Sequence, residues 1–186
     1  YAPSPSSPAE AGLQDWTIEE IMQLLKIGMT ASSSTLGPMA EVVFSSTQHL
    51  NQKDLKAIAH YLKELPRQES AKADTKLANA ESLQIGQNLY LNQCASCHGD
   101  RGEGRGDYPA LAGNRTVTMH SSVNLVRIIL SGGFAPTTEG NPRPYGMPPF
   151  GHTLSDPEVA AVATYVRNAW GNNAGAVMPL SVQKTR

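Results

Sequence analysis

Two cysteines and a histidine stand together in one short motif, Cys94-Ala95-Ser96-Cys97-His98, in a chain of 186 residues that has no other cysteine. C-x-x-C-H is the spacing at which two thiols attach covalently to one c-type haem. The histidine after the second thiol is close enough to reach the iron as an axial ligand. The motif therefore predicts a fold built around one covalent haem, held by Cys94 and Cys97 and ligated by His98.

Other uses of a C-x-x-C pair fit this sequence less well. A thioredoxin-like redox pair requires a βαβ pattern around the motif, which the sequence does not show. A structural zinc site is often built from two such pairs, and the second pair is missing. A disulfide across only two intervening residues is uncommon, so haem attachment is the favoured interpretation.

The composition is that of an ordinary globular chain, with 40% hydrophobic residues, 17% charged residues and a formal net charge of -1. We expect no nucleic-acid partner, because the charges are balanced, and no membrane span, because no apolar run approaches ~20 residues. The chain begins at Tyr1 rather than Met, which suggests a processed chain or a fragment. Since bacteria attach haem covalently outside the cytoplasmic membrane, we expect the periplasm, or the periplasmic face of that membrane.

Helical periodicity dominates, and the 13 prolines and 16 glycines fall mostly between the helical patterns. Thr17 with Glu20, and Ser155 with Glu158, have the spacing of capping boxes that open helices. The fold expected is all-α with long Gly/Pro-rich loops. The helices are expected at about residues 18–28, 52–64, 81–97, 122–131 and 155–170.

Parts of the sequence repeat at an offset of 104 residues, with a loop methionine, Met39 or Met147, between the repeated segments. The repeated segments are 24–28 with 128–132, and 57–62 with 161–166. The repeat predicts that residues 1–66 are the back half of a second haem domain that lacks its own C-x-x-C-H. Residues 67–80 would then be a linker, and 81–186 a complete one-haem domain. By the same repeat, Met39 would be the axial methionine of the neighbouring haem.

Met147 is the expected second axial ligand, because a thioether raises the reduction potential of a haem that already has a histidine ligand. It lies 49 residues after His98 in Gly146-Met147-Pro148-Pro149, where the prolines stiffen the loop. Met119 is the runner-up, and Met178 lies past the last helix; His120 or His152 would give bis-histidine ligation. The loop with Tyr108 and Pro109 is expected to orient His98, with the Pro109 carbonyl as hydrogen-bond acceptor.

Residues 82–171 resemble a class I cytochrome c domain. The resemblance implies that the first and last helices cross at Gly86 and Tyr165. It rests on Gly86, Tyr90, Cys94 to His98, Pro109-Ala110-Leu111-Ala112-Gly113, Met147, and Tyr165-Val166 through Trp170.

The whole chain resembles the C-terminal part of a multi-haem cytochrome c subunit of membrane-bound alcohol or gluconate dehydrogenases. The closest segments are 37–43, 46–50 and 146–150. Such subunits carry three C-x-x-C-H motifs, whereas this chain has one. The resemblance implies a dehydrogenase catalytic subunit or an upstream haem domain as electron donor, and quinone or a terminal oxidase as acceptor.

Ligation by His98 and Met147 would leave no open iron position, so we expect an electron-transfer protein rather than an enzyme. Two alternatives stay open. One is a peroxidase-like haem enzyme with a labile sixth ligand. The other is a docking module, in which residues 1–80 anchor the haem domain to a larger dehydrogenase complex.

Overall fold

The computed structural model describes residues 1–68 and 77–186, and the described chain is mainly helical, as the sequence predicts. Short 3₁₀ turns lie at Leu13–Asp15 and Thr47–His49. The helices are α1 (Ile18–Ile27), α2 (Pro38–Ser45), α3 (Gln52–Glu64), α4 (Ala80–Gln93), α5 (Ala95–His98), α6 (Arg115–Thr118), α7 (Val123–Ser131), α8 (Asp156–Asn168) and α9 (Pro179–Gln183). Strands β1 (Gly133–Phe134) and β2 (Gly146–Met147) pair antiparallel.

The predicted linker at 67–80 falls largely on residues 69–76, which lie outside the described residues. Within the described ranges, no helix combines the length and apolar character needed to cross a membrane. The division of the chain into domains stays a prediction.

Both predicted capping boxes are present. Thr17 accepts a hydrogen bond from the Glu20 amide at 3.1 Å, and its own amide donates to the Glu20 carboxylate at 2.8 Å. The Ser155 amide likewise donates to the Glu158 carboxylate at 2.8 Å. These side chains satisfy amides that have no partner inside the first turn, which fixes where α1 and α8 begin.

The helix expected over 81–97 is interrupted at Cys94, which separates α4 from α5. The backbone hydrogen bond from Cys97 to the Cys94 carbonyl (3.1 Å) spans three residues, so the chain tightens at the haem motif. The last long helix ends at Asn168 and not at Trp170, because Ala169 adopts an extended backbone with φ of -87° and ψ of 161°. In each case the local backbone departs from the helical conformation that the periodicity predicts.

The expectation that Met39 lies in a loop is wrong. Pro38 occupies the first turn of α2, where its missing N–H costs nothing, and Met39 follows it on that helix. The Met39 side chain is 40% exposed. The short helices α6 and α9 were not predicted either, because four or five residues are too few to show a period.

The core of the C-terminal part forms where α4 crosses α8. A Cβ at Gly86 would lie 2.2 Å from the Ala161 carbonyl oxygen and 2.7 Å from the Tyr165 Cβ, so only glycine permits this approach. The ring of the buried Tyr90 packs beside the crossing, 5.6 Å from the ring of Tyr165 and 4.8 Å from that of Trp170. The expected crossing at Gly86 and Tyr165 is therefore present.

A second, smaller core lies between α1 and α3. The sequence repeat has a structural counterpart, since moving α3 by 104 residues gives the bounds of α8. The repeat extends to a pair of cations that the sequence analysis missed. Lys63 donates to the carbonyls of Gln14 and Trp16, and Arg167 donates to those of Val117 and Met119. Lys63 thus links the end of α3 to the segment before α1, and Arg167 links the end of α8 to the segment before α7.

Candidate haem-binding site

All the predicted site residues line one cleft. The predicted residues that meet there are Cys94, Cys97, His98, Tyr108, Pro109 and Met147. Folding thus brings together residues that lie up to 53 positions apart in the sequence.

The two cysteines stand at the start of α5, with Cys94 at its N-cap and Cys97 three residues further on. Both are free thiols and partly buried. Burial, followed by the neighbouring Cys97, raises the pKa of Cys94 to about 11. Redox-active cysteines of C-x-x-C motifs have lowered pKa values, so this environment does not favour the thioredoxin-like alternative.

His98 is fixed by the hydrogen bond expected from the sequence. Its Nδ1 lies 2.9 Å from the Pro109 carbonyl oxygen. A carbonyl can only accept, so Nδ1 carries the proton and Nε2 carries the lone pair that a metal ligand needs. Burial lowers the pKa of His98, and the hydrogen bond to Pro109 acts in the opposite direction. The neutral form, which binds metals, is therefore favoured.

The loop of residues 99–114 holds Pro109 opposite His98. The Gly104 amide donates to the His98 carbonyl at 2.8 Å. A Cβ at Gly104, where φ is 76°, would lie 2.6 Å from the Tyr108 carbonyl oxygen. Glycine at 104 therefore lets the loop fold closely enough for the Pro109 carbonyl to reach the imidazole.

Met147 lies on strand β2 and not in an irregular loop, which corrects the expectation. β2 pairs with β1 so that Gly133 stands opposite Met147. A Cβ at the preceding Gly132 would lie 2.3 Å from the Met147 carbonyl oxygen. The Phe150 amide also donates to the Ile129 carbonyl at 2.9 Å, which fastens the end of this segment to α7.

The other candidate axial ligands lie outside the cleft lining. Met119 is buried in the core with 5% exposure, and Met178 is 42% exposed on the surface. His120 and His152 are exposed. Of the ligands weighed from the sequence, Met147 alone lines the cleft with His98.

Two aromatic rings stack at the cleft. The ring centroids of Tyr108 and Tyr145 lie 4.6 Å apart, with an angle of 22° between the planes. Tyr145 was missed in the sequence analysis, as were Met29, Ser34 and Leu36, which also line the cleft. No local pattern marks these residues, because they reach the cleft only through contacts between distant segments.

The residues present fit a c-type haem. The cleft combines two free thiols, an imidazole in the tautomer that leaves Nε2 unprotonated, a thioether and largely apolar walls. In the described part of the chain, no three or more His, Cys, Asp or Glu side chains form a group that could hold a metal ion.

The cytochrome c family model matches residues 83–170, so the chain contains a cytochrome c domain. The match and the mainly helical structure agree with the class I cytochrome c fold expected from the sequence, and a cytochrome c domain implies covalently bound haem c. It includes most of α4, all of α8 and the cleft-lining residues from Gln93 to Phe150.

Similar proteins are cytochrome c subunits of dehydrogenases. The chain is 37% identical to the cytochrome c subunit of a quinone alcohol dehydrogenase from Gluconobacter oxydans, with all of this chain and 41% of that protein covered. It is 34% identical to the gluconate 2-dehydrogenase cytochrome c subunit of Pantoea cypripedii, with 90% of this chain and 40% of that protein covered. A fructose dehydrogenase cytochrome subunit from Gluconobacter japonicus is 32% identical over the whole of this chain and 43% of its own length.

The chain thus spans about two fifths of the length of these relatives. Their names are those of cytochrome subunits and not of catalytic subunits. The relatives are thus of the kind that the sequence resemblance implied, cytochrome subunits of dehydrogenases.

Proposed function

We propose that the cytochrome c domain carries one haem, attached through Cys94 and Cys97 with His98 and Met147 as axial ligands, and that it transfers single electrons. What supports the proposal is the convergence of these four side chains on one cleft. When bound, a c-type haem supplies a one-electron iron couple.

The chain's own residues would hold the two axial ligands of the haem in position. The Pro109 carbonyl keeps the proton of His98 on Nδ1, which leaves Nε2 as the ligand atom. The β1–β2 pairing and the glycine at 132 hold Met147 in the cleft. With a ligand on each side, the iron would have no open position for substrate, which suits a carrier better than a peroxidase-like enzyme.

The partners follow from the relatives and are part of the proposal. A dehydrogenase catalytic subunit, or a haem domain that precedes this chain, would donate electrons, and quinone or a terminal oxidase would accept them. The location would be the periplasm or the periplasmic face of the cytoplasmic membrane.

The substitution Met147→Ala tests the ligation. The weak sulfur-to-iron charge-transfer band should disappear, the reduction potential should fall, and carbon monoxide should bind readily to the ferrous protein. Met178→Ala is the matched control, since Met178 is an exposed methionine outside the cleft lining. If the Met147 variant keeps the band and the potential, the ligand is another residue. If the unmodified ferrous protein already binds carbon monoxide readily, the enzyme alternative is favoured instead.

A further inference from the structure

One side of the haem cleft is built by a segment from outside the cytochrome c domain. Residues 28–36, called here the wall loop, contribute Met29, Ser34 and Leu36 to the cleft lining. They lie 58 to 65 residues before Cys94 and outside the range of the family match. A cytochrome c domain of residues 83–170 alone would lack this wall.

The wall loop has a defined backbone of its own. Met29 and Ser34 form an antiparallel bridge, and the Thr30 amide donates to the Ser33 carbonyl at 2.8 Å. The Thr35 amide closes the base of the loop by donating to the Gly28 carbonyl, also at 2.8 Å. These bonds hold the loop in one shape, so its side chains can form a fixed wall.

The wall loop is also fastened to the cytochrome c domain. The Arg115 amide donates to the Ser32 carbonyl at 2.8 Å, and the Asn141 side-chain amide donates to the Met29 sulfur at 3.4 Å. A Cβ at Gly28, where φ is 82°, would lie 2.3 Å from the Cγ of Pro136, so the two parts meet without a gap. Attachment at the tip of the loop and at its base favours a permanent contact.

We propose that the wall loop closes the haem cleft against water and thereby raises the reduction potential of the haem, with Leu36 and Met29 as the residues that exclude water. This inference rests on the proposed function, since it requires haem in this cleft. Ferric haem carries one more positive charge than ferrous haem. Water and polar groups stabilise the charged form, whereas an apolar wall favours the reduced form. The N-terminal part of the chain would thus set the potential of a haem that another part of the chain binds.

The test compares polar with apolar substitutions in the full-length, haem-loaded chain. Leu36→Asn and Met29→Gln introduce polar groups of similar size. Each should lower the ferrous-to-ferric ratio at a fixed potential by about tenfold, which equals about 59 mV for a one-electron couple. Leu36→Met and Met29→Leu keep the wall apolar at similar volume and should leave the potential unchanged.

Val42→Asn is the control for a polar change elsewhere in the N-terminal part, because Val42 is exposed and outside the cleft lining. It should not alter the potential. The wall role is overturned if the polar variants keep the unmodified potential, if Met29→Leu shifts it as much as Met29→Gln, or if Val42→Asn shifts it equally. If Leu36→Asn fails to fold, the Met29 pair decides.

Failure of this inference can be separated from failure of the proposed function. Each variant is first examined for covalent haem and for the sulfur-to-iron band of Met147. If both are retained and the potential does not move, the haem assignment stands and the wall role alone is refuted. If the unmodified chain itself lacks them, the proposed function is refuted.

Discussion

Replacing Gly132 by alanine should pull Met147 away from the haem iron without substituting any residue that we assign to the haem. A Cβ at residue 132 would lie 2.3 Å from the Met147 carbonyl oxygen and 2.9 Å from the Pro149 nitrogen. These neighbours are backbone atoms, so no side-chain rotation can relieve the clash.

The size of the effect follows from these distances. Ordinary van der Waals contact begins at 3.4 Å, so the backbones of residues 132 and 147 must move apart by about 1.1 Å. Metal–ligand distances hold within about 0.2 Å, so a shift of this size is enough to break a sulfur–iron bond. Gly132 also has φ of 67° and ψ of -165°, a backbone region in which alanine costs about 1–3 kcal/mol.

Gly37→Ala is the matched control. Gly37 has a similar backbone, with φ of 58° and ψ of -138°. No heavy atom lies within 4 Å of its added Cβ. Both variants should bear the cost of the strained backbone, but only Gly132→Ala should also lose the sulfur-to-iron band and bind carbon monoxide in the ferrous state. If Gly132→Ala keeps the band while Gly37→Ala behaves normally, the placement of Met147 by strand β2 is wrong.

Three further predictions concern stability. Gly86→Ala should lower the free energy of unfolding of the haem-loaded protein by about 1–3 kcal/mol or more, since its Cβ would clash with the Ala161 carbonyl. The exposed Asn88→Ala should change the free energy of unfolding by less than about 0.5 kcal/mol. Equal effects in denaturant unfolding would refute the tight crossing. Arg167→Met should cost about 2–5 kcal/mol, because three carbonyls, two of them in buried contacts, lose their donor. Burial lowers the pKa of Arg167 to about 10, so the side chain stays charged at neutral pH. The exposed Arg127→Met should be nearly neutral. Hydrogen bonds from the Ser155 hydroxyl and then from its amide lower the pKa of Glu158. The ionised Glu158 carboxylate therefore stabilises the folded protein above the ordinary pKa of a glutamate, and this stabilisation is lost as the pH falls through the lowered pKa. The stability difference between the unmodified protein and Glu158→Gln should therefore shrink between about pH 7 and about pH 3, and a difference that does not change with pH would contradict the capping box.

Local sequence rules predicted the parts of this molecule that depend on neighbouring residues. The capping boxes at Thr17 and Ser155 depend on two side chains three residues apart, and the haem motif is contiguous. The crossing at Gly86 and Tyr165 depends on distant residues, and it was expected only through the family resemblance.

Features that depend on tertiary contact could not be read from the sequence. Met147 lies on a strand only because Gly133 pairs with it from across the 11-residue loop 135–145. Leu36 lines the cleft only because the wall loop is fastened to residues after the haem motif. The end of α8 at Asn168 depends on the extended backbone of Ala169, after which the left-handed Trp170 packs its ring against that of Tyr90.

The intact mass of the denatured chain tests the central claim most directly. Produced in a host that attaches c-type haem, the protein should carry the mass of one haem that denaturation does not remove. Replacing both Cys94 and Cys97 by alanine should abolish that added mass. A chain that carries no haem, or one that releases it on unfolding, would contradict the assignment of Cys94 and Cys97 as its covalent attachment points.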